Sequence, residues 1–550
     1  MLKTVKHIVL AAGVIMLAAS CGKNYLVTPP VGSLSTDGFY TTPAHIESGV
    51  LGVYAKLQGI ENGQYLTFSE DRSDNVWVDS DPNGIRTCSE SSFYRITDAT
   101  GEIGSLWAGW YSLIYNANTV LASLDQINME QKMINQFKGE LLFLRGLAHF
   151  ELARMFGNVP IVDHVLSSTE AKTLEQSPAK DVIAAAVADL VEAEKLLPMR
   201  KDMINSSNAN IAADGRADQL SAQALLARVY MTLKGKPFDD ASAKANAKAY
   251  LEKVLKNGAS YFAPNMKEWK LQWLTDNAAA NKYQIFAIQH RLGTGNQITF
   301  EEGVQISNLD IVADGYHSGS GMSPVYPEAT LRYEFIKNND ARGLGFCFID
   351  GYDAYGSTPA YVNRLTEFVY NGEKIESFEQ SINIKFCPTK PKRNELGVQF
   401  DDTSLGTGTG SLNKWPINFP ILRLEDMMLL YAELLAEDGN ISGALEQVNK
   451  IRNRAGVPAA TASSKEEALK AVKLERQLEL YLEGVRWFDM VRYGEWKNLT
   501  LAKYNNYRNA DGSLRTNVSL ENVKDGRYLL PIPKSETAAV PGLYKQNPDW

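Results

Sequence analysis

Apolar residues fall at helical spacing in four stretches of the chain. From about Asn135 to Phe156 they occupy Phe137, Leu141, Leu144, Leu147, Ala148, Leu152 and Met155, a stripe along one face of a helix. Gly157-Asn158-Val159-Pro160 then stops it. A second stripe, Leu220, Ala224, Ala227 and Tyr230, predicts a helix over Asp218 to Leu233, closed by Gly235. A third pattern runs from about Leu424 to Arg454 and breaks at Glu437-Asp438-Gly439-Asn440, so it reads as helix, turn, helix. Ala432, Leu435, Ala444 and Val448 sit where two antiparallel helices would touch, the look of a degenerate tetratricopeptide-type unit. The fourth pattern predicts a single helix from Lys465 to Arg492.

Two regions lack this periodicity. From Gln64 to Ser105, and from about Tyr283 to Trp415, Gly, Asn, Asp, Thr and Tyr dominate. The second region holds short alternating pieces such as Gln284-Ile285-Phe286-Ala287-Ile288, which read as strands. Long loops inside a helical domain are commonly functional or disordered. The glycines of Ser404 to Ser411 neither follow a strand nor open a helix, so they do not form a phosphate cradle.

The N-terminus has its own pattern. Lys3 and Lys6 precede an apolar run from Ile8 to Leu17, and small residues lead to Cys21. Residues 1–20 read as an export signal. A cysteine directly after Leu17-Ala18-Ala19-Ser20 reads as a lipoprotein processing site with Cys21 acylated, although Ala18 stands where a leucine is usual. Residues 21–33 suit a tether and 34–550 a single domain carrying the two loop-rich insertions, about 64–105 and 283–415. Past the signal there is no apolar stretch of membrane-spanning length.

Composition narrows the function classes. A net charge of -8 argues against binding a phosphate backbone, so no nucleic-acid partner is expected. Apart from Cys21, three widely spaced cysteines remain (Cys88, Cys347 and Cys387), enough for one disulfide but not for a disulfide scaffold, and without metal-ligand spacing. None of the six histidines pairs at ligand spacing, and His149, within a helical stripe, reads as a packed core residue. No metalloprotease, nucleophile-elbow, P-loop or kinase motif is present. Hence no catalytic residue, metal or cofactor is expected, and the chain reads as a non-enzyme. The 25 Tyr, 20 Phe and 9 Trp supply many rings on which a sugar's C–H face could pack, and a large helical core would also consume them.

Ordered motifs add a family resemblance. Gly38-Phe39-Tyr40-Thr41-Thr42, then Trp107 with Tyr111 to Asn118, then Leu144 to Leu152 with Phe156 to Pro160, and Ala224 to Tyr230 follow one another. Leu422 to Asp426 with Tyr431 to Glu433, Ile451 to Gly456, Glu475-Arg476 with Glu483 to Asp489, and finally Tyr528 to Pro533 with Gln546-Asn547-Pro548 complete the set. In this order they resemble the RagB/SusD family of nutrient-binding outer-membrane lipoproteins. The resemblance implies a mainly α fold, with tetratricopeptide-like helix pairs forming a right-handed superhelical scaffold and a loop-rich insertion containing short strands. It implies lipid anchoring to the outer membrane, facing the cell exterior. It also implies a SusC-like TonB-dependent barrel transporter as partner, and an oligosaccharide or polysaccharide as ligand. The alternative is a peptide ligand taken up by the same scaffold.

The motif residues themselves read as structural. Arg423, Glu433, Glu475, Arg476, Glu483, Arg486 and Asp489 are charges on packed helices, expected as partly buried ion pairs. Trp487 and Phe488 read as core, as does at least one of Trp107 and Trp110. A glycan site is therefore expected in the loops. Glu70 to Asp79 places Trp77 beside Arg72, Asp74 and Asn75, a stacking ring among groups that donate to and accept from hydroxyls. The larger insertion offers Tyr316, Tyr326, Tyr352 and Tyr355, together with His317 and Tyr361.

Overall fold

The computed structural model describes residues 39–60, 65–78, 91–92, 94–204, 215–273, 277–290, 325–349, 365–370, 373–378, 382–383, 385–386, 392, 395–397, 417–506, 514 and 518–550. Cys21, Cys88, Cys387 and the anchor and tether segments lie outside them.

Helices form over the first three stripes and over further segments as well. They are α1 (Pro43–Ile60), α2 (Gly101–Ser123), α3 (Gln131–Phe156), α4 (Ala179–Leu196), α5 (Gln219–Lys234) and α6 (Ala243–Asn257). After the large insertion come α8 (Leu424–Glu437), α9 (Ile441–Arg454), α10 (Lys465–Glu479), α11 (Arg486–Arg492) and α12 (Trp496–Asn506), while α7 (Ala329–Lys337) lies within it. Asp218 stands one residue outside α5 and caps it. Its carboxylate accepts the Ser221 N–H at 2.8 Å, and the Ser221 hydroxyl accepts from the Asp218 N–H at 3.3 Å. The break at 438–440 is made by Gly439 at φ 79° and by Asn440, whose side chain caps α9 at Gly443.

Each helix packs on the next: α1 on α2, α2 on α3, α3 on α4, α4 on α5, α5 on α6, and α8 on α9 and α10. These are the tetratricopeptide-like pairs expected. The approach of α3 to α4 depends on a missing side chain. A Cβ at Gly146 would lie 2.9 Å from Leu190 Cγ and 3.1 Å from the Ala186 carbonyl. One continuous apolar core runs from Ile46 to Ile532, and both Trp107 and Trp110 belong to it. The C-terminus docks on the end of α3. The Leu530 N–H donates to the Met155 carbonyl at 2.7 Å, and the Asn547 amide donates to the carbonyls of Phe156 and Leu530.

The large insertion leaves after α6 and returns before α8, yet α6 packs directly on α8. A two-stranded antiparallel sheet closes its neck, pairing β2 (Gln284–Ile288) with Phe419–Arg423. The alternation read in 284–288 does not translate into one wet face. All five residues are buried, because the strand lies between the helices and the insertion.

The predicted helix over 465–492 is two helices. The chain leaves α10 after Glu479 and enters α11 at Arg486, with Leu482 at φ 64° and Gly484 at φ 68° between them. Apolar spacing continues through the break, so periodicity alone does not register it. The turn is held by a contact with residues 65–70, described below.

The motif charges are buried and paired. Arg342, Arg423, Arg452, Arg454 and Lys385 interlock with Asp340, Glu425, Glu475, Glu479 and Glu483, so five cations face five carboxylates. Asp340, Arg342 and Lys385 come from the insertion, and Glu475 and Glu479 from α10, so the cluster ties the insertion to the scaffold. A second set joins Arg476 to Asp426 and Asp489, and Arg492 to Glu433 and Asp489.

Candidate functional site

The loop from Glu70 to Asn75 leads into a short strand, β1 (Val76–Val78). Three of its charged residues, Glu70, Arg72 and Asp74, are held by the C-terminal third of the chain. Glu70 is wholly buried. Its carboxylate accepts the Asn75 side-chain amide at 2.6 Å and the N–H groups of Leu482 at 2.9 Å and Gly484 at 3.2 Å. The left-handed turn at Leu482 and Gly484 aims these two N–H groups at one point, which makes a small anion nest. A Cβ at Gly484 would meet Ser69 Oγ and Tyr65 Cε1, both at 2.8 Å. Burial pushes the Glu70 carboxyl up to about 7, and burial followed by the charge of Glu70 pushes Asp71 up to about 8.

Arg72 is 2% exposed. Its guanidinium lies 4.1 Å from the Trp487 ring centre and donates to the carbonyls of Arg527 and Tyr528. Asp74 forms a two-pronged pair with Arg486, at 2.6 and 2.7 Å. Lys503 from α12 donates to the Ser73 carbonyl at 2.8 Å, and its burial lowers the ammonium to about 8. Asn75 is buried. The Arg72 guanidinium, the Asp74 carboxylate and the Asn75 side-chain N–H₂ therefore bond to groups within the protein, where they shape the loop.

Trp77 is half-buried and packs on Tyr504, with ring centres 5.7 Å apart. Its strand pairs antiparallel with β3 (Val325–Pro327), and Trp77 stands opposite Tyr326. The Glu328 N–H extends the contact to the Asn75 carbonyl at 2.9 Å. Strand pairing thus brings together Trp77 from the first loop-rich region and the Tyr326 position from the second, 249 residues apart (326 minus 77). Tyr316, His317, Tyr352, Tyr355 and Tyr361 lie outside the described residues. The partners Arg486, Lys503, Tyr504 and Glu328 were not foreseen as parts of this site. Arg486 carried a signal as a charge within a motif, and the other three carried none.

A separate cleft of about 230 Å³ opens between the end of α3 and the C-terminal segment, lined among others by Arg154, Lys236, Phe238, Phe488 and Tyr528. Its arginines are committed elsewhere, Arg154 to Glu151 and Arg492 to Glu433, which makes it a weaker candidate than the Trp77 ladder. Among the described residues no three His, Cys, Asp or Glu side chains are grouped to hold a metal ion. Among them, too, no helix is long and apolar enough to cross a membrane.

The architecture has parallels among known proteins. The family model described as "SusD family" matches residues 284–550, and the one described as "Starch-binding associating with outer membrane" matches residues 32–231. A SusD-like protein P2 from Formosa agariphila is 22% identical over 550 residues, covering 98% of each chain. A SusD homolog from Bacteroides thetaiotaomicron superposes with a TM-score of 0.71 at 22% identity, over 94% of this chain and 98% of that one. Surface glycan-binding protein A from the same species, solved in complex with laminarihexaose, gives 0.68 at 20% identity, over 93% of this chain and all (100%) of that one. SusD-type family models match both halves of the chain, so this protein belongs to the SusD/RagB family.

Proposed function

We propose that the protein captures an oligosaccharide or polysaccharide at the cell surface and passes it to a SusC-like TonB-dependent barrel transporter. In this reading it is held to the outer membrane by acylated Cys21 and acts by binding, with no catalytic residue. The observation that carries the reading is the Trp77–Tyr326 pairing: an aromatic position from each loop-rich region on one short ladder, with the Trp77 ring braced from behind by Tyr504. A flat, braced ring packs against the C–H face of a pyranose. Trp77 and Tyr326 are the proposed stacking positions, with Tyr316, Tyr352 and Tyr355 as further contacts from the insertion. Arg72, Asp74 and Asn75 frame them. Support for a glycan comes from the neighbour solved with laminarihexaose and from the starch-binding description of the matched family model.

Calorimetric titration of the chain lacking residues 1–20 with laminarin, starch and other polysaccharides tests the reading. A glycan ligand is expected, with affinity at least tenfold weaker in Trp77→Ala, or about 1.4 kcal/mol. Binding to peptides and to no glycan would overturn it. Co-purification with a barrel transporter in detergent tests the partner. Release of Cys21→Ala from the membrane tests the anchor.

A further inference from the structure

The strand carrying Trp77 is held in place by a distant part of the chain. Within the six residues before β1, four are gripped by α11, by α12 or by the turn before α11. Glu70 takes the two N–H groups of that turn, Arg72 stacks on Trp487, Ser73 receives Lys503, and Asp74 receives Arg486. Residue 504, next to Lys503, supplies the ring behind Trp77. The loop also ties itself together, since the Glu70 carboxylate accepts from the Asn75 side chain.

We propose that Glu70 and the Asp74–Arg486 pair are positioning residues for the ligand strand, fixing through the backbone of 73–77 how Trp77 is presented. Their relevance to ligand rests on the glycan reading above; their effect on Trp77 does not. The geometry is specific to such a role. A carboxylate that accepts from three donors fixes both position and rotation, and so does a two-pronged arginine pair. Glu70 and Asp74 lie seven and three residues before Trp77 in the chain. Around them, Glu70 faces Asp71 on its own loop and Lys385 from the insertion. Arg486 faces Asp74 and Asp489, and Lys503 faces Asp71, Asp74, Glu70 and Glu328. Burial holds Glu70 near neutrality, so its grip on the turn changes with pH in the range where binding is measured.

The test uses the chain lacking residues 1–20, labelled with 5-fluorotryptophan, with the residue-77 fluorine resonance assigned through Trp77→Phe. In Arg486→Gln and in Glu70→Gln the residue-77 resonance should shift or broaden, while those of Trp107 and Trp110 stay in place. Laminarin affinity should fall at least tenfold, and Arg486→Lys should recover part of both effects. The residue-77 resonance should also titrate between pH 6 and 8 in the parent, and less in Glu70→Gln, where Asp71 and Lys503 still titrate. An unmoved residue-77 resonance in both variants, or laminarin affinity within twofold of the parent, overturns the proposal. If the parent binds no glycan, the glycan reading fails and the fluorine arm still decides the positioning. If Arg486→Gln fails to fold, Glu70→Gln carries the same readings.

Discussion

Glu479 is the place to test whether the buried charges hold this scaffold together. Its carboxylate is fully buried and meets Arg454 at 2.6 Å, Arg342 at 2.7 Å and Arg423 at 3.0 Å, with the Trp269 indole N–H at 2.9 Å. Burial pushes its carboxyl up, but the three arginines outweigh this and hold it ionised. At an effective dielectric of about 20, one such contact is worth roughly 6 kcal/mol of attraction. Most of that is offset by the cost of taking the charges out of water, and removing one partner of a buried set costs about 3–5 kcal/mol net. Glu479→Gln changes charge without changing volume, so no cavity enters the comparison. It leaves five cations facing four carboxylates and turns an amide N–H₂ toward an arginine. For the roughly 390 described residues the unfolding entropy is about 0.8 kcal/mol per degree, so the expected fall in Tm is about 4–6 °C. Calorimetry of the chain lacking residues 1–20 reads this directly. The double variant Glu479→Gln with Arg454→Gln restores the balance of charge and should lose less than the sum of the two single changes, by about 0.5–3 kcal/mol. A fall under about 1 °C in the single variant, or strict additivity in the double, would refute the claim that these ten charges act as one unit.

Acid sensitivity should come in part from His149. It is buried, accepts the Val162 N–H through Nε2, and is lowered by burial, then by Arg145, to about 4. Between pH 6.5 and 4 the unfolded chain binds the extra proton, so stability falls with acidification, by about 2 kcal/mol at pH 5 and about 3 at pH 4. His149→Gln should flatten this part of the Tm profile, and a profile identical to the parent's would contradict it. On α3, Gly146→Ala gains about 1 kcal/mol of helix propensity but drives a Cβ against Leu190 and a backbone carbonyl, an overpacking cost of about 1–3 kcal/mol. Its Tm should therefore fall. Gly52→Ala on α1, with nothing within 4 Å, should raise it, and the same sign for both would show that the α3–α4 approach is not tight.

The helices were legible because burial demands a period that sequence displays. The stripe through Leu141, Leu144 and Leu152 is the stripe that packs, and the Gly439–Asn440 break is the break observed. The motif charges were legible as pairs because a buried arginine requires a carboxylate, although no sequence rule assigns Arg423 to Glu483 or Arg454 to Glu425. The break between α10 and α11 was illegible for a definite reason. Its apolar spacing is unbroken, and what turns the chain is the Glu70 carboxylate, more than four hundred residues earlier.

The same fact explains why the candidate site was only half visible. Composition picks out Glu70 to Asp79 as a loop with an aromatic among polar groups, and that reading treats every polar group as available to a ligand. The fold divides them. Those of Arg72, Asp74 and Asn75 turn inward to partners that fix the loop, and the half-buried ring of Trp77 remains at the ladder with β3. A loop that must hold one shape without a helix or sheet of its own has to take its hydrogen bonds from elsewhere in the chain. The charged residues that look most like ligand contacts are, for that reason, the ones best suited to be its scaffold. In a chain of this family, the neighbours of a loop aromatic are therefore to be weighed first as its supports. The partners to look for lie on the turn before α11, on α11 itself and on α12, where Leu482, Gly484, Arg486 and Lys503 meet this loop.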